Sequence, residues 1–191
     1  TVVAGNPPYA AASLNPGRTN TGELTYAGEL IQPYYSFGGA PLEERNPRWL
    51  QDDYVKFFAL TERLISTTGS GVVGFISNHG YLINPTFRGM RESFMGSYNL
   101  SFFLDLHGNT KRSEVQQDGT PDENVFDIQQ GVAIALLVSK GDSATGGTDV
   151  RHADLFGSRQ DKYRTLDSSK GPSWSRLNPR LPQLAFTPVD E

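Results

Sequence analysis

The 191-residue chain contains no cysteine. That absence excludes disulfides, thiolate metal sites and a cysteine nucleophile within the sequence. It fits a reducing compartment, and a cytoplasmic setting is the expectation. No run of about 18 apolar residues occurs, so no membrane-spanning helix is expected. The apolar stretch before Asn6 is too short for a signal peptide. An excess of positive charge is also missing: 17 Lys and Arg stand against 21 Asp and Glu, a net charge of −4. Nucleic-acid-binding domains ordinarily carry a basic footprint. Contact with DNA would therefore have to come from another part of a larger protein or from local clusters such as Lys111-Arg112, Arg159, Lys162 with Arg164, Arg176 and Arg180, each otherwise a solvated surface charge. No G-x-G-x-x-G turn follows an apolar strand, and Gly69-Ser70-Gly71 precedes one, the wrong context for a cofactor loop.

What remains suffices for one domain with a real core: 11% of residues are aromatic and 20% charged. Residues 1–5 read as a strand apolar on both faces. It runs into Asn6-Pro7-Pro8-Tyr9, where two prolines fix the backbone and hold carbonyls in set directions. A carboxamide oxygen, a carbonyl and a ring at this spacing suit a flat group bearing an NH2; an ordinary strand-ending turn is the other reading. Residues 10–46, rich in Gly, Pro, Asn and Thr, read as a long loop. Asn46-Pro47 reads as a helix start, with helix following to about Ser66 on an apolar stripe of Leu50, Tyr54, Phe57, Phe58, Leu64 and Ile65. Strands are predicted at 71–78, 99–109 and 131–140, and a helix at 85–97 with Phe87, Met90 and Phe94 on one side. Residues 110–130 are polar and acidic, hence a loop, and beyond Lys140 the chain turns polar, with a short helix near 157–166. Residues 171–184 are interrupted by prolines and read as extended or irregular. Strand–helix alternation predicts an α/β fold with a parallel sheet, and the last two strands, lacking a helix between them, pair as an antiparallel hairpin.

Together these segments resemble one family. Strand, NPPY, loop, helix and strand resemble the target-base half of amino-group DNA methyltransferases acting on adenine N6. "DDYVKFF" (52–58), "GFISNHGYL" (74–82), "PTFRGMRESF" (85–94), "FFLDLHGN" (102–109), "DENVFDIQQGVAIALLV" (122–138) and "HADLFGSRQDKY" (152–163) resemble blocks of one subgroup. That subgroup is the adenine methylase region of large single-chain, helicase-fused restriction–modification enzymes of the type ISP kind. The resemblance implies the C-terminal half of a Rossmann-like, S-adenosylmethionine-dependent methyltransferase sheet, with residues 1–140 as the target-base half and 141–191 as a polar tail toward a downstream region. It implies a partner cofactor-binding half, possible nuclease and helicase domains, and double-stranded DNA with a flipped adenine as substrate. The 191 residues alone would then be inactive. A non-catalytic fragment and an NPPY-type protein glutamine methyltransferase are the alternatives.

By the same resemblance Asn6, Pro7, Pro8 and Tyr9 are the catalytic residues. The Asn6 side-chain oxygen and the Pro7 carbonyl accept from the target amine, and Tyr9 stacks on the base, with Phe126 either a second stacking ring or a hydrophobic plug at the strand entry. Asn78 and His79, at the carboxyl end of a strand, either line the site or cap the loop. Asn109, Lys111 and Arg112 either touch DNA phosphate or form a solvated loop. Asp105 and His107 share one face of a strand, but no further ligands are evident in sequence, so no metal is expected. Arg88 and Arg91 are assigned to the helix surface. The strand at 1–5 would form an exposed edge open to self-association or to capture by the chain's own tail.

Overall fold

The computed structural model describes residues 1–8, 13–44, 47–112, 114–116, 118–141 and 147–189, with the side chain of Arg112 excepted. Tyr9 and Asn46, singled out above, lie outside the described residues. The central sheet is built from β1 (Val2–Gly5), β4 (Gly71–Asn78), β5 (Leu100–Asp105), β6 (Val132–Ser139), β7 (Asp149–Asp154) and β8 (Ser175–Leu177). Its spatial order is β1-β4-β6-β5-β7-β8. β1 pairs in parallel with β4, and β5 with β7. β6 runs antiparallel to both β4 and β5, so the expected hairpin is present and its second strand slots between the two parallel pairs. β1, β4, β5 and β7 therefore all end at one rim of a mixed α/β sheet.

One face of the sheet carries the main core. Helix α2 (Asp53–Thr68) buries Tyr54, Val55, Phe58, Ala59 and Ile65, and stops at Gly69, whose φ of 81° lets its N–H close on the Ile65 carbonyl at 2.8 Å. Helix α3 (Arg88–Ser97) buries Met90 and Phe94, and Phe87 just before it is buried too. Phe58 anchors an aromatic cluster, with ring centroids 5.0 Å from Phe75, 5.2 Å from Phe94 and 5.5 Å from Tyr81. The opposite face carries a smaller cluster of Leu104, Leu106, Val125, Val132 and Ala153 and leaves Leu136 43% exposed. Among the described residues no helix is long and apolar enough to cross a membrane.

Several expectations are corrected. Residues 1–5 are not buried on both faces: β1 is a sheet edge and Val2 is 79% exposed. The segment 10–46 is more than loop. Its described part holds α1 (Tyr26–Leu30) and a two-residue hairpin, β2 (Ser36–Phe37) with β3 (Ala40–Pro41), and buries Ile31 and Tyr34 in the main core. Arg91 is fully buried, not on the surface. Its guanidinium donates to the carbonyls of Tyr81 (2.7 Å), Asn84 (2.9 Å) and Gln183 (2.8 Å), and burial pushes its pKa down to about 9. The polar region after residue 140 continues the same sheet through β7 and β8, joined by helix α4 (Arg159–Asp167). It also returns Phe186 to the core, stacked 4.4 Å from Phe103. That tail covers the β7 edge and the core, while among the described residues the β1 edge has no strand on its outer side.

Candidate functional site

The rim where β1, β4, β5 and β7 end holds a cleft of about 480 Å³. Its walls come from tight turns. After β4, the Asn78 side-chain oxygen accepts from the Gly80 N–H at 2.7 Å and starts a single 3-10 turn, His79–Leu82. After β5, His107 (φ 52°) and Gly108 (φ 78°) both take left-handed backbone and reverse the chain. A Cβ on Gly108 would lie 2.4 Å from the Asn124 Cα, so the close approach requires glycine. Buried Asn124 ties the two loop arms together, its amide donating to Gly108 O (3.0 Å) and Gln130 O (2.7 Å).

All three histidines of the sequence gather here. His79 Nδ1 lies 3.0 Å from Asp105 Oδ1, and the His107 backbone N–H donates to the same oxygen at 2.9 Å. His107 Nε2 and His152 Nε2 converge on Asp154 Oδ1 at 2.8 and 3.0 Å. Parallel pairing sets Asp105 beside Asp154, which is how histidines 28 and 45 residues apart from His107 join one network. Phe156 stacks on the His107 ring at 3.8 Å between centroids. Burial raises the Asp105 pKa, but the His79 hydrogen bond and the neighbouring imidazoles outweigh it and hold the carboxyl below its ordinary range. Asp154 is held well below by His107 and His152 against the same burial penalty. His107 responds in the opposite sense: burial lowers it, and Asp154 and Asp105 carry it above an ordinary imidazole.

Trp49, Tyr54 and Asp52 also line the cleft. Asp52 Oδ1 is buried with no hydrogen-bond partner among the described residues. Burial is the main reason its pKa rises to about 6, against the pull of the Asp53 and Tyr54 N–H groups. The cleft thus presents carboxylates, imidazoles and side-chain amides over an aromatic wall, a set that can exchange protons, hold a cation or hydrogen-bond a polar ring.

Asn6, exposed, and Pro7, buried, directly follow β1 at this same rim, with Pro8 exposed beyond them. They do not line the cleft itself, whereas Asn78, His79 and Asn109 do. Asn78 caps the turn as well as lining the site. Phe126 sits apart, packed on the minor core beside Leu104 and Val125, with its carbonyl accepting from Arg159 at 3.0 Å. Asn109 donates its backbone N–H to Glu114 at 2.8 Å and points its amide at His79 Nε2, 3.5 Å away. Lys111 is exposed on the short turn Thr110–Arg112.

Two arrangements went unseen in the sequence. Asp53 and Lys56 of the "DDYVKFF" block staple the loop that follows NPPY. Asp53 accepts from the Ser13 hydroxyl and from the Leu14 N–H (3.1 Å), and Lys56 Nζ reaches Ser13 Oγ at 2.6 Å. Lys162, read above as a surface charge, is fully buried and paired with buried Asp122 at 2.7 Å. A carboxylate at the start of a predicted helix followed by Lys three residues on was the one available signal for the first. Nothing local marks the second.

Comparison with family models and with curated proteins gives no match. Among solved structures, the chain is similar to the ATP-dependent Type ISP restriction-modification enzyme LlaBIII bound to DNA, with TM-score 0.74, 25% identity, 95% of this chain covered and 12% of that one. The DrdV–DNA complex gives TM-score 0.74 and 22% identity over 100% of this chain and 18% of that one. A nuclease-deletion mutant of the Type ISP restriction-modification enzyme LlaGI, with a DNA substrate mimic, gives 0.71 and 19% over 93% and 14%. The chain therefore spans between 12% and 18% of these much longer proteins. Over nearly its whole length it is folded like one segment of a Type ISP restriction-modification enzyme.

Proposed function

We propose that this segment is the target-base half of a DNA adenine-N6 methyltransferase within a larger restriction–modification enzyme, with nuclease and helicase domains elsewhere. The observation that carries the reading is the position of Asn6-Pro7-Pro8: at the carboxyl end of a strand parallel to β4, on the rim that holds the cleft, in a fold similar to Type ISP enzymes. An exocyclic amine is a poor nucleophile because its lone pair is delocalised into the ring. Two acceptors aimed at its hydrogens, the Asn6 side-chain oxygen and the Pro7 carbonyl, favour a nitrogen with a usable lone pair. Prolines on a strand end hold those acceptors still, so orientation and electrostatics supply the rate and no covalent enzyme intermediate is needed. Tyr9, outside the described residues, is assigned the stacking role on the flipped base.

The methyl group would come from S-adenosylmethionine. The described residues do not fit as its cradle. Two strand-to-helix turns carry a glycine at the helix entry, and both have its N–H committed to a side chain: Gly80 to Asn78 Oδ1 and Gly157 to Asp122 Oδ1, each at 2.7 Å. This segment's part is to hold the acceptor amine, and the 191 residues alone are expected to show no transfer. Mass spectrometry of nucleosides and peptides after incubating the intact enzyme with methyl-labelled donor and DNA tests the reading. Label in N6-methyladenine supports it; label only in glutamine side chains, or in cytosine, overturns it.

A further inference from the structure

The histidine cluster has a property that the amine-holding role does not use. We propose that His79, His107 and Glu114 form a binding site for a divalent transition-metal ion of the zinc class at the rim of the cleft. One ring nitrogen from each histidine and one Glu114 oxygen lie within 4.8 Å of one another. The three residues come from the end of β4, the turn after β5 and the following loop, and all three line the cleft.

The hydrogen bonding around the two rings directs their lone pairs. Carboxylates accept, so His79 carries its proton on Nδ1 toward Asp105, and Nε2 is the basic nitrogen. The Asn109 amide, a donor, faces that Nε2 at 3.5 Å, as a lone pair requires. His107 donates from Nε2 to Asp154 at 2.8 Å, which leaves Nδ1 as its free nitrogen. An imidazole whose second nitrogen is held by a carboxylate is the usual outer support of a metal-ligating histidine. Both rings have it. His107 Nδ1 is 4.0 Å from Glu114 Oε2 and 3.8 Å from Asp105 Oδ2, too far for hydrogen bonds. Two ligand atoms on one tetrahedral ion stand about 3.4 Å apart for bonds of about 2.1 Å. Closing the cluster onto an ion therefore means drawing separations of 4.8 Å or less in to that value, a shortening of about 0.6 Å for the His107–Glu114 pair and of at most about 1.4 Å for any other.

The surroundings hold this geometry. Phe156 stacks on His107 and fixes its plane. Gly131 lets the His79 ring approach, since a Cβ there would come within 2.4 Å of Cε1. Two imidazoles with one carboxylate suit zinc, cobalt or nickel better than magnesium or calcium, which prefer all-oxygen sites. Three protein ligands leave a fourth position for water or a ligand oxygen on the cleft side.

The test is a titration of the untagged, chelator-stripped protein with Co2+, followed by visible absorption, and with Zn2+ by calorimetry. The expected result is one equivalent bound in the micromolar range or tighter, with the visible bands of low-coordinate cobalt, and a melting temperature raised by Zn2+. Glu114→Gln, a loop substitution that keeps an acceptor for the Asn109 N–H, should weaken binding at least tenfold without changing the metal-free melting temperature. Asp154→Asn, which removes the carboxylate behind His107 and leaves the three ligands in place, should weaken it about 10–100-fold. No saturable binding by the wild-type protein, or binding of equal strength in Glu114→Gln, would overturn the proposal.

Discussion

Replacing Lys162 by methionine isolates the interaction that joins α4 to the site loops. The ammonium is fully buried and has three acceptors: Leu106 O at 2.6 Å, Asp122 Oδ2 at 2.7 Å and Glu123 O at 2.6 Å. Asp122 is buried as well, and its other oxygen accepts from the Gly157 N–H. Methionine fills most of the lysine stem, so the cavity contribution is small. What is lost is the partner of a buried carboxylate, together with two charge-assisted bonds to carbonyls. Breaking a buried pair in this way costs about 3–5 kcal/mol, a large part of the roughly 5–15 kcal/mol that holds a domain together. Adding Asp122→Asn removes the orphaned charge and should recover about 1–3 kcal/mol as a coupling energy. Urea unfolding followed by far-ultraviolet circular dichroism measures both variants, with unchanged m-values as the check that the same surface unfolds. A loss below about 1 kcal/mol for Lys162→Met, or no coupling in the double variant, would refute the view that this pair fastens the "DENVFDIQQG" loop to α4.

Two pH effects follow from the cleft. Asp52 has a folded pKa near 6 against an ordinary 3.8, so the native state binds more protons and stability falls as pH rises through that interval. A dry carboxyl would lose about 3 kcal/mol; with solvent on its exposed side the discount brings this to about 1 kcal/mol. Asp52→Asn should therefore stabilise the protein by about that amount at neutral pH and by nothing below about pH 4 in chemical denaturation; an equal gain at both would contradict the assignment. In the histidine cluster, Asp105 and Asp154 are depressed, so their contribution is present above the ordinary carboxylate pKa and lost as pH falls through the folded values. His107 is raised, so its contribution is complete below the ordinary imidazole pKa and lost as pH rises through its folded value. Hydrogen-exchange protection of the His107 N–H, corrected for intrinsic rate, should peak between these limits; flat protection across them would count against the network.

How much was legible depended on the range of the interaction. β4 at 71–78 emerged at its predicted bounds because Gly69 and the apolar run mark it locally, and its alternating burial reflects a covered and a half-covered face. The β5–β6 hairpin followed from the missing crossover helix, but not its insertion beside β4, which only the pairing reveals. Polar residues were the systematic failure. Arg91 and Lys162 occupy helices whose charges suggest solvent, and their burial depends on carbonyls and a carboxylate 7 to 92 residues away. Asp105 and His107 were paired by strand spacing, yet the partners that make them a site, His79 and Asp154, arrive through sheet register. The short β1 was read as apolar on both faces, yet Val2 is exposed; its place at the sheet edge agrees with the expectation.

The central claim is that Asn6 holds the target amine. Single-turnover methyl transfer by the intact enzyme carrying Asn6→Ala, with donor affinity measured in parallel, tests it most directly. Loss of one positioned acceptor should cost roughly 3–4 kcal/mol, a fall of about 10²–10³ in rate, by analogy with an oxyanion-hole donor. Donor affinity should stay near wild type, and Tyr9→Ala should lose less, since base–aromatic stacking is worth about 1–3 kcal/mol. Near-wild-type transfer by Asn6→Ala would contradict the account.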